Sequence, residues 1–161
     1  MDQALKDRTA SVARAAGEGR ALNVLGAPYI FKAFSAETGN RFCCIECIVP
    51  PGSGVPPHTH THEDEAFYLL AGEITLESAD PDAPLRLRPG SFFFGPRGQQ
   101  HCFRNESGRE ARMLVFCLPG NGMEQMFTEM DAATRRDGGA PSIDEIVAIA
   151  GRYGVSIVQP R

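Results

Sequence analysis

All four histidines of the 161-residue chain fall in two short segments. In PPHTHTHEDEAFYLLAGE, His58 and His60 stand two positions apart. Side chains on an extended strand alternate between faces, so these two imidazoles project the same way and can meet one cation. Glu65, at the start of the next apolar run, can return a carboxylate to that point. The second segment, PGSFFFGPRGQQHCFRN, makes a turn at Pro96 and its neighbouring glycines before a strand that begins at His101, a donor from a distant part of the chain. Imidazoles with a carboxylate and no thiolate suit one divalent transition metal ion (iron, nickel, manganese, copper or zinc), with open positions for a substrate oxygen, water or dioxygen. Two other donor sets share the first segment. His62 continues the alternation, so His60 could act with His62, and Glu63 could stand in place of Glu65.

The elements that must position these groups are mostly strands. From Ala21 to about Leu118 the chain runs through short β-prone stretches, among them ALNVL, YIFKAF, RFCCIECIV, EAFYLL, EITLES, HCFRN and ARMLVFCL, punctuated by Gly, Pro, Asn and Asp. Such spacing predicts an all-β sandwich or barrel. Alternation from Glu65 places Phe67 and Leu69 on the ligand face, and alternation from His101 places Phe103 there. Phe92 and Phe94 share a face of a neighbouring strand, and Phe42 or Phe31 completes an apolar pocket for a small-molecule substrate. After Pro119 the texture turns helical. Met123, Met126, Phe127 and Met130 form one apolar helix face. In SIDEIVAIAGRYG, Ser142 and Glu145 stand at capping-box spacing and Gly154 can end the helix. Residues 3–16 have helix-compatible composition with few apolar anchors and read as a short helix or a frayed arm.

Composition narrows the partners. Sixteen Lys plus Arg against 20 Asp plus Glu give a net charge of −4, and no basic cluster offers a nucleic-acid footprint. The N-terminal residues lack the apolar run of roughly 7–15 residues that a secretory signal needs. No stretch reaches the roughly 18 apolar residues of a membrane helix. Five cysteines, an odd number without an export signal, favour reduced thiols and a cytoplasmic location. In CCIEC, alternation puts Cys43 and Cys47 on one face and Cys44 on the other, as small buried hydrophobes.

Two spaced motifs carry a resemblance. Gly52, five residues, His58, one residue, His60, four residues, Glu65, six residues and Gly72 resemble the first motif of the cupin superfamily in full. Gly90, five residues, Pro96, one residue, Gly98, two residues, His101, three residues and Asn105 resemble the second, after a gap of 17 residues. The likeness covers residues 20–118, and the trailing helices are similar to those of small single-domain bacterial cupins, quercetin 2,3-dioxygenase-like proteins among them. It implies an all-β fold, a small antiparallel β-barrel of jelly-roll (cupin) type with C-terminal helices. The division is then an N-terminal arm over 1–19, the barrel over 20–118 and a helical extension over 119–161 packed on it.

The same resemblance selects His58, His60, Glu65 and His101 as the metal ligands, makes Asn105 structural, and assigns Gly72, Gly90 and Gly98 to turns with positive backbone angles. On that register His62 lies at the rim, and Glu63 and Asp64 form a solvated acidic edge. The implied activity is that of a quercetinase-like dioxygenase. A flavonol-like or other enolic substrate would bind the metal through oxygen and lose its hydroxyl proton to Glu65. The same scaffold also serves metal-dependent isomerases, cyclases and lyases, and non-catalytic small-ligand-binding modules. Family habit and exposed strand edges, YIFKAF in particular, point to a homodimer.

Overall fold

The computed structural model describes residues 10–78 and 83–158. Residues 1–9 of the expected N-terminal arm or helix lie outside those described, and residues 10–19 hold a turn at 16–17 and no helix. The strands begin with β1 (Arg20–Val24) and β2 (Ala27–Ala33), followed by a single helical turn, α1 (Ser35–Thr38). Then come β3 (Cys43–Val49), β4 (Gly54–His60), β5 (Asp64–Ala71), β6 (Ile74–Glu77), β7 (Leu85–Leu87), β8 (Phe92–Gly95), β9 (His101–Arg104) and β10 (Ala111–Leu118). Two helices, α2 (Asn121–Asp137) and α3 (Ile143–Arg152), precede a last strand, β11 (Val155–Ile157). None of the helices among the described residues is long and apolar enough to cross a membrane.

All strand pairs are antiparallel, and they form two sheets. One runs β1-β2-β3-β10-β5-β8 and the other β11-β4-β9-β6-β7. The expected barrel is thus a pair of facing sheets, with no ladder closing them into one cylinder among the described residues. The core between them is built by the inward set of each strand. On β10 that set is Ala111, Met113, Val115 and Cys117, alternating with more exposed residues. Phe31, Ile45, Phe67 and Leu69 of the same sheet, and Ile74 and Leu76 of the facing one, complete it, each almost fully buried.

Three local features set the geometry of the site. β4 contains Pro56 and Pro57, which have no N–H to give to a ladder, and its pairing with β9 shifts between Val55 and His58. Past that irregularity His58 sits directly opposite His101. Gly72, Gly90 and Gly98 take φ of 76°, 91° and 81°. At Gly72 a Cβ would also lie 2.6 Å from Ala111 Cα, so the turn after β5 requires glycine for both conformation and space. Asn105, with no exposed surface, ties the end of β9 down. Its Nδ2 donates to Val49 O at 2.8 Å and Arg109 O at 2.7 Å, and its Oδ1 accepts from Ser107.

The C-terminal segment packs on the sheets through its apolar faces. Met123, Met126, Phe127, Met130 and Ala133 of α2 are buried, as are Ile149 and Ala150 of α3. Phe127 stands edge-on to Tyr29 of β2 at 5.2 Å between ring centroids, and Asp131 Oδ1 accepts from the Asn23 amide of β1 at 2.8 Å. Ser142 caps α3 by accepting from Glu145 N. The chain then returns as β11 along β4, where Val155 faces His60 and Ile157 faces His58. That strand has no counterpart in the sequence reading, since three residues are too few to show a period. The expectation that YIFKAF offers a free edge is corrected too, because β2 is hydrogen-bonded to β1 on one side and β3 on the other.

Replacing Asn105 by Ala leaves two carbonyls without their donor, at a cost of about 2–4 kcal/mol. The expected fall in Tm is about 5–15 °C, read by thermal unfolding, while the protein that stays folded keeps its metal-binding capacity.

Candidate metal centre

The cluster bridges the two sheets. His58 and His60 of β4 and His101 of β9 come from one sheet, Glu65 of β5 from the other. Each offers one ligand atom, and these atoms all lie within 4.8 Å of one another, a set that could hold a metal ion. Glu65 Oε2 is 3.0 Å from His101 Nε2, 3.5 Å from His60 Nε2 and 4.0 Å from His58 Nε2. All four side chains are buried. Both ring nitrogens of His60 lack any hydrogen-bond partner, which is costly in an interior unless another group fills the space at Nε2. Three neutral imidazole nitrogens and one carboxylate oxygen fit a divalent transition ion.

The outward nitrogens are prepared for this role. His58 Nδ1 donates to Pro56 O at 2.9 Å and His101 Nδ1 to Gln99 O at 3.2 Å, leaving their Nε2 lone pairs turned inward. Glu65 Oε1 accepts from the Cys117 thiol at 3.5 Å. The neighbouring Cys43 thiol and burial push the Cys117 pKa well up, so this sulfur keeps its proton. Charge is shared unevenly among the ligands. Burial drives His58 down to about 4. Burial also acts against a charge on His60, but the carboxylates of Glu65 and Glu63 outweigh it and raise His60 to about 9. Glu65 likewise resists burial, and the imidazoles of His60, His101 and His58 hold it well below the ordinary carboxylate range.

Next to the cluster is a cavity of about 70 Å³. His58, His60 and Glu65 form one wall, and Tyr29, Phe67, Phe103, Met126 and Ile146 are among the others. Among the described residues no Lys or Arg lines it. Phe67 and Phe103, expected in the pocket, are there. Phe92 and Phe94 are not: they are 64% and 51% exposed on the outer face of β8, and the inward residue is Phe93. Register is the cause, because Glu65 pairs with Gly95 and Phe67 with Phe93, which fixes the odd positions of β8 as inward. Phe31 lies in the core away from the cavity, stacked on Phe34, and Phe42 packs on Phe116.

The remaining candidates of the first segment separate cleanly. His62 is exposed and lies against Gly154, at the turn into β11. Asp64 is partly exposed and pairs with Arg97 at 2.8 Å, and the guanidinium holds its carboxyl at about 2. Glu63, expected on a solvated edge, is instead 3% exposed, covered by the start of α2. Sequence reasoning also missed Tyr29, Met126 and Ile146 as cavity residues, since they belong to elements far from both motifs.

Comparison with known proteins finds relatives of this sequence and fold. Residues 45–117 match the family model described as Cupin domain. Over 104 residues the chain is 27% identical to quercetin 2,3-dioxygenase of Bacillus subtilis, covering 65% of this chain and 30% of that protein. Over 70 residues it is 30% identical to the oxalate-binding protein of Thermotoga maritima, covering 44% of this chain and 56% of that one. The solved structure of the polyketide cyclase RemF from Streptomyces resistomycificus superposes with a TM-score of 0.59 at 25% identity, over 68% of this chain and 80% of that one. The chain thus spans 30% to 56% of the length of these two curated relatives.

Protein purified without added metal or chelator is expected to carry near-stoichiometric divalent metal by elemental analysis, and His58→Ala and His101→Ala to lose it. A ligand must be deprotonated to bind. His60, raised to about 9, is protonated at neutral pH and has to give up its proton to the solvent. Metal affinity should therefore fall on acidification and rise towards pH 9, with about one proton released per ion at pH 7. Calorimetry in buffers of different ionisation enthalpy measures that number.

Proposed function

This chain carries a cupin domain over residues 45–117, and from that premise we propose that it is a metal-dependent dioxygenase acting on a small, largely apolar, aromatic or enolic substrate. The observation that carries the reading is the shared wall of cluster and cavity: His58, His60 and Glu65 open onto a space whose other walls are mostly apolar side chains. A molecule held there rests its apolar body on Phe67, Phe103 and Met126 and turns one oxygen-bearing end to the cluster. A divalent ion held by His58, His60, Glu65 and His101 would supply Lewis acidity to that oxygen and, where redox-active, one-electron chemistry towards dioxygen. Glu65 is ionised and is the carboxylate in the cavity wall placed to take the substrate's hydroxyl proton, while the Cys117 thiol on Oε1 keeps it oriented. Tyr29 lines the cavity too, and burial lifts its pKa well above 10, so it stays a hydrogen-bond donor for a substrate oxygen.

The cavity is smaller than a two-ring molecule requires, so substrate entry has to displace side chains of α2 and α3. Met126 and Met130 suit that purpose, because unbranched thioethers repack with little strain. The likeness to quercetin 2,3-dioxygenase supports an oxygen-dependent reaction on such a substrate. A second reading, a redox-neutral cyclase or isomerase that uses the same ion as Lewis acid, draws support from the likeness to the polyketide cyclase RemF. A binding module for a small dianion fits less well, because among the described residues no Lys or Arg lines the cavity to offset the second charge.

Oxygen uptake by the metal-loaded protein with a panel of flavonols and β-diketones tests the proposal. Consumption with at least one member is expected, and Glu65→Gln should lower kcat by about 10²–10⁴-fold. Conversion of the same compounds without oxygen uptake would establish the second reading, and no turnover of any member would overturn both.

A further inference from the structure

Glu63 is a buried carboxylate that neither motif uses. It is 3% exposed, its Oε2 has no hydrogen-bond partner, and that oxygen lies 3.7 Å from Nδ1 of His60, which has none either. Two orphaned buried atoms facing each other across that gap are short of a hydrogen bond by a small movement of either side chain. The other two imidazoles show what is missing. His58 and His101 each turn Nδ1 to a backbone carbonyl, so His60 is the one ring whose outer nitrogen faces a charged group.

We propose that Glu63 is the positioning residue of the metal centre: it accepts the Nδ1–H of His60, fixes the ring's tautomer and aim, and adds a second buried negative charge behind the ligand shell. The proposal rests on the metal-binding reading of the cluster. Such a carboxylate makes the coordinated imidazole a stronger donor, and with Glu65 it matches the two positive charges of a divalent ion. Glu63 is also covered by the C-terminal extension. A Cβ on Gly122, in the first turn of α2, would come within 2.7 Å of Glu63 Oε1, closer than side chains pack. Glycine at 122 therefore leaves the space that the carboxylate occupies, and the N-terminal end of the α2 dipole faces a negative charge it favours. The helix is in this way coupled to the metal site through Glu63 without contributing a ligand.

The test is the Ni²⁺ affinity of the metal-free full-length chain, measured by competition with a chromophoric chelator. Glu63→Gln keeps the shape and removes the charge, and is expected to weaken binding by about 10–100-fold. Gly122→Ala, which alters no ligand and raises helix propensity, should also shift the affinity, because its Cβ displaces the carboxylate from its present position. Asp64→Asn removes the next charge along the chain, one already paired with Arg97, and should change affinity less than about threefold. Thermal unfolding of each metal-free variant separates lost affinity from lost fold, and a Glu63→Gln chain that did not fold would leave Gly122→Ala to decide. Affinity within about twofold of the parent in Glu63→Gln and Gly122→Ala, or an equal loss in Asp64→Asn, would overturn the role of Glu63 while leaving the metal centre standing. A parent chain that takes up no Ni²⁺ would remove the metal centre itself, and this role with it.

Discussion

A single carboxylate, buried where two sheets face each other, has to be matched by groups from the opposite sheet. Glu65 projects from the six-stranded sheet into an interior where an unpaired charge costs several kcal/mol. Three imidazoles of the five-stranded sheet lie within 3.0–4.0 Å of its Oε2. That requirement ties together features that look unrelated along the chain. The prolines of β4 break its ladder just before His58, the turn at Gly98 delivers His101 opposite it, and Asn105 anchors the strand that carries His101. The thiol of Cys117 satisfies the remaining oxygen, so one of the five buried free cysteines has a polar duty as well as a packing one.

The extension after β10 belongs to the site as much as to the exterior. α2 and α3 supply Met126, Met130, Ile146 and Ala150 to the cavity wall, and β11 runs along β4 opposite both histidines. Apolar burial drives this packing: the helix faces are too hydrophobic to remain in water, and the open side of the two-sheet sandwich is the surface they cover. The result is a cluster that could hold a metal ion, with one charged wall and an apolar roof. On the proposed reading, that asymmetry favours substrates with a single polar end.

Several elements were legible because their signals are local. Strand alternation placed Phe67 and Phe103 with the ligands, the offsets of three and four placed the methionines of α2 inward, and Ser142 with Glu145 marked the start of α3. Where the local signal was flat, the reading failed. FFF in β8 is apolar on both faces, so nothing in it says which phenylalanine turns inward, and the choice of Phe92 and Phe94 was wrong. HED reads as solvated because charges usually are, yet Glu63 is covered by a helix that begins about 60 residues later.

Residue types and their spacing alone thus indicated the β-rich class, the helical tail and the inward face of each strand that alternates, while the choice among the donor sets of the first segment came from the resemblance to the cupin motifs. Tertiary structure alone decided the register of β8 against β5, the interior position of β2, the return of β11 along β4 and the burial of Glu63. The division has a physical basis. Periods of 2 and 3.6 are properties of a segment and are written in it, whereas inter-strand register and the cover of a helix are set by partners distant in sequence.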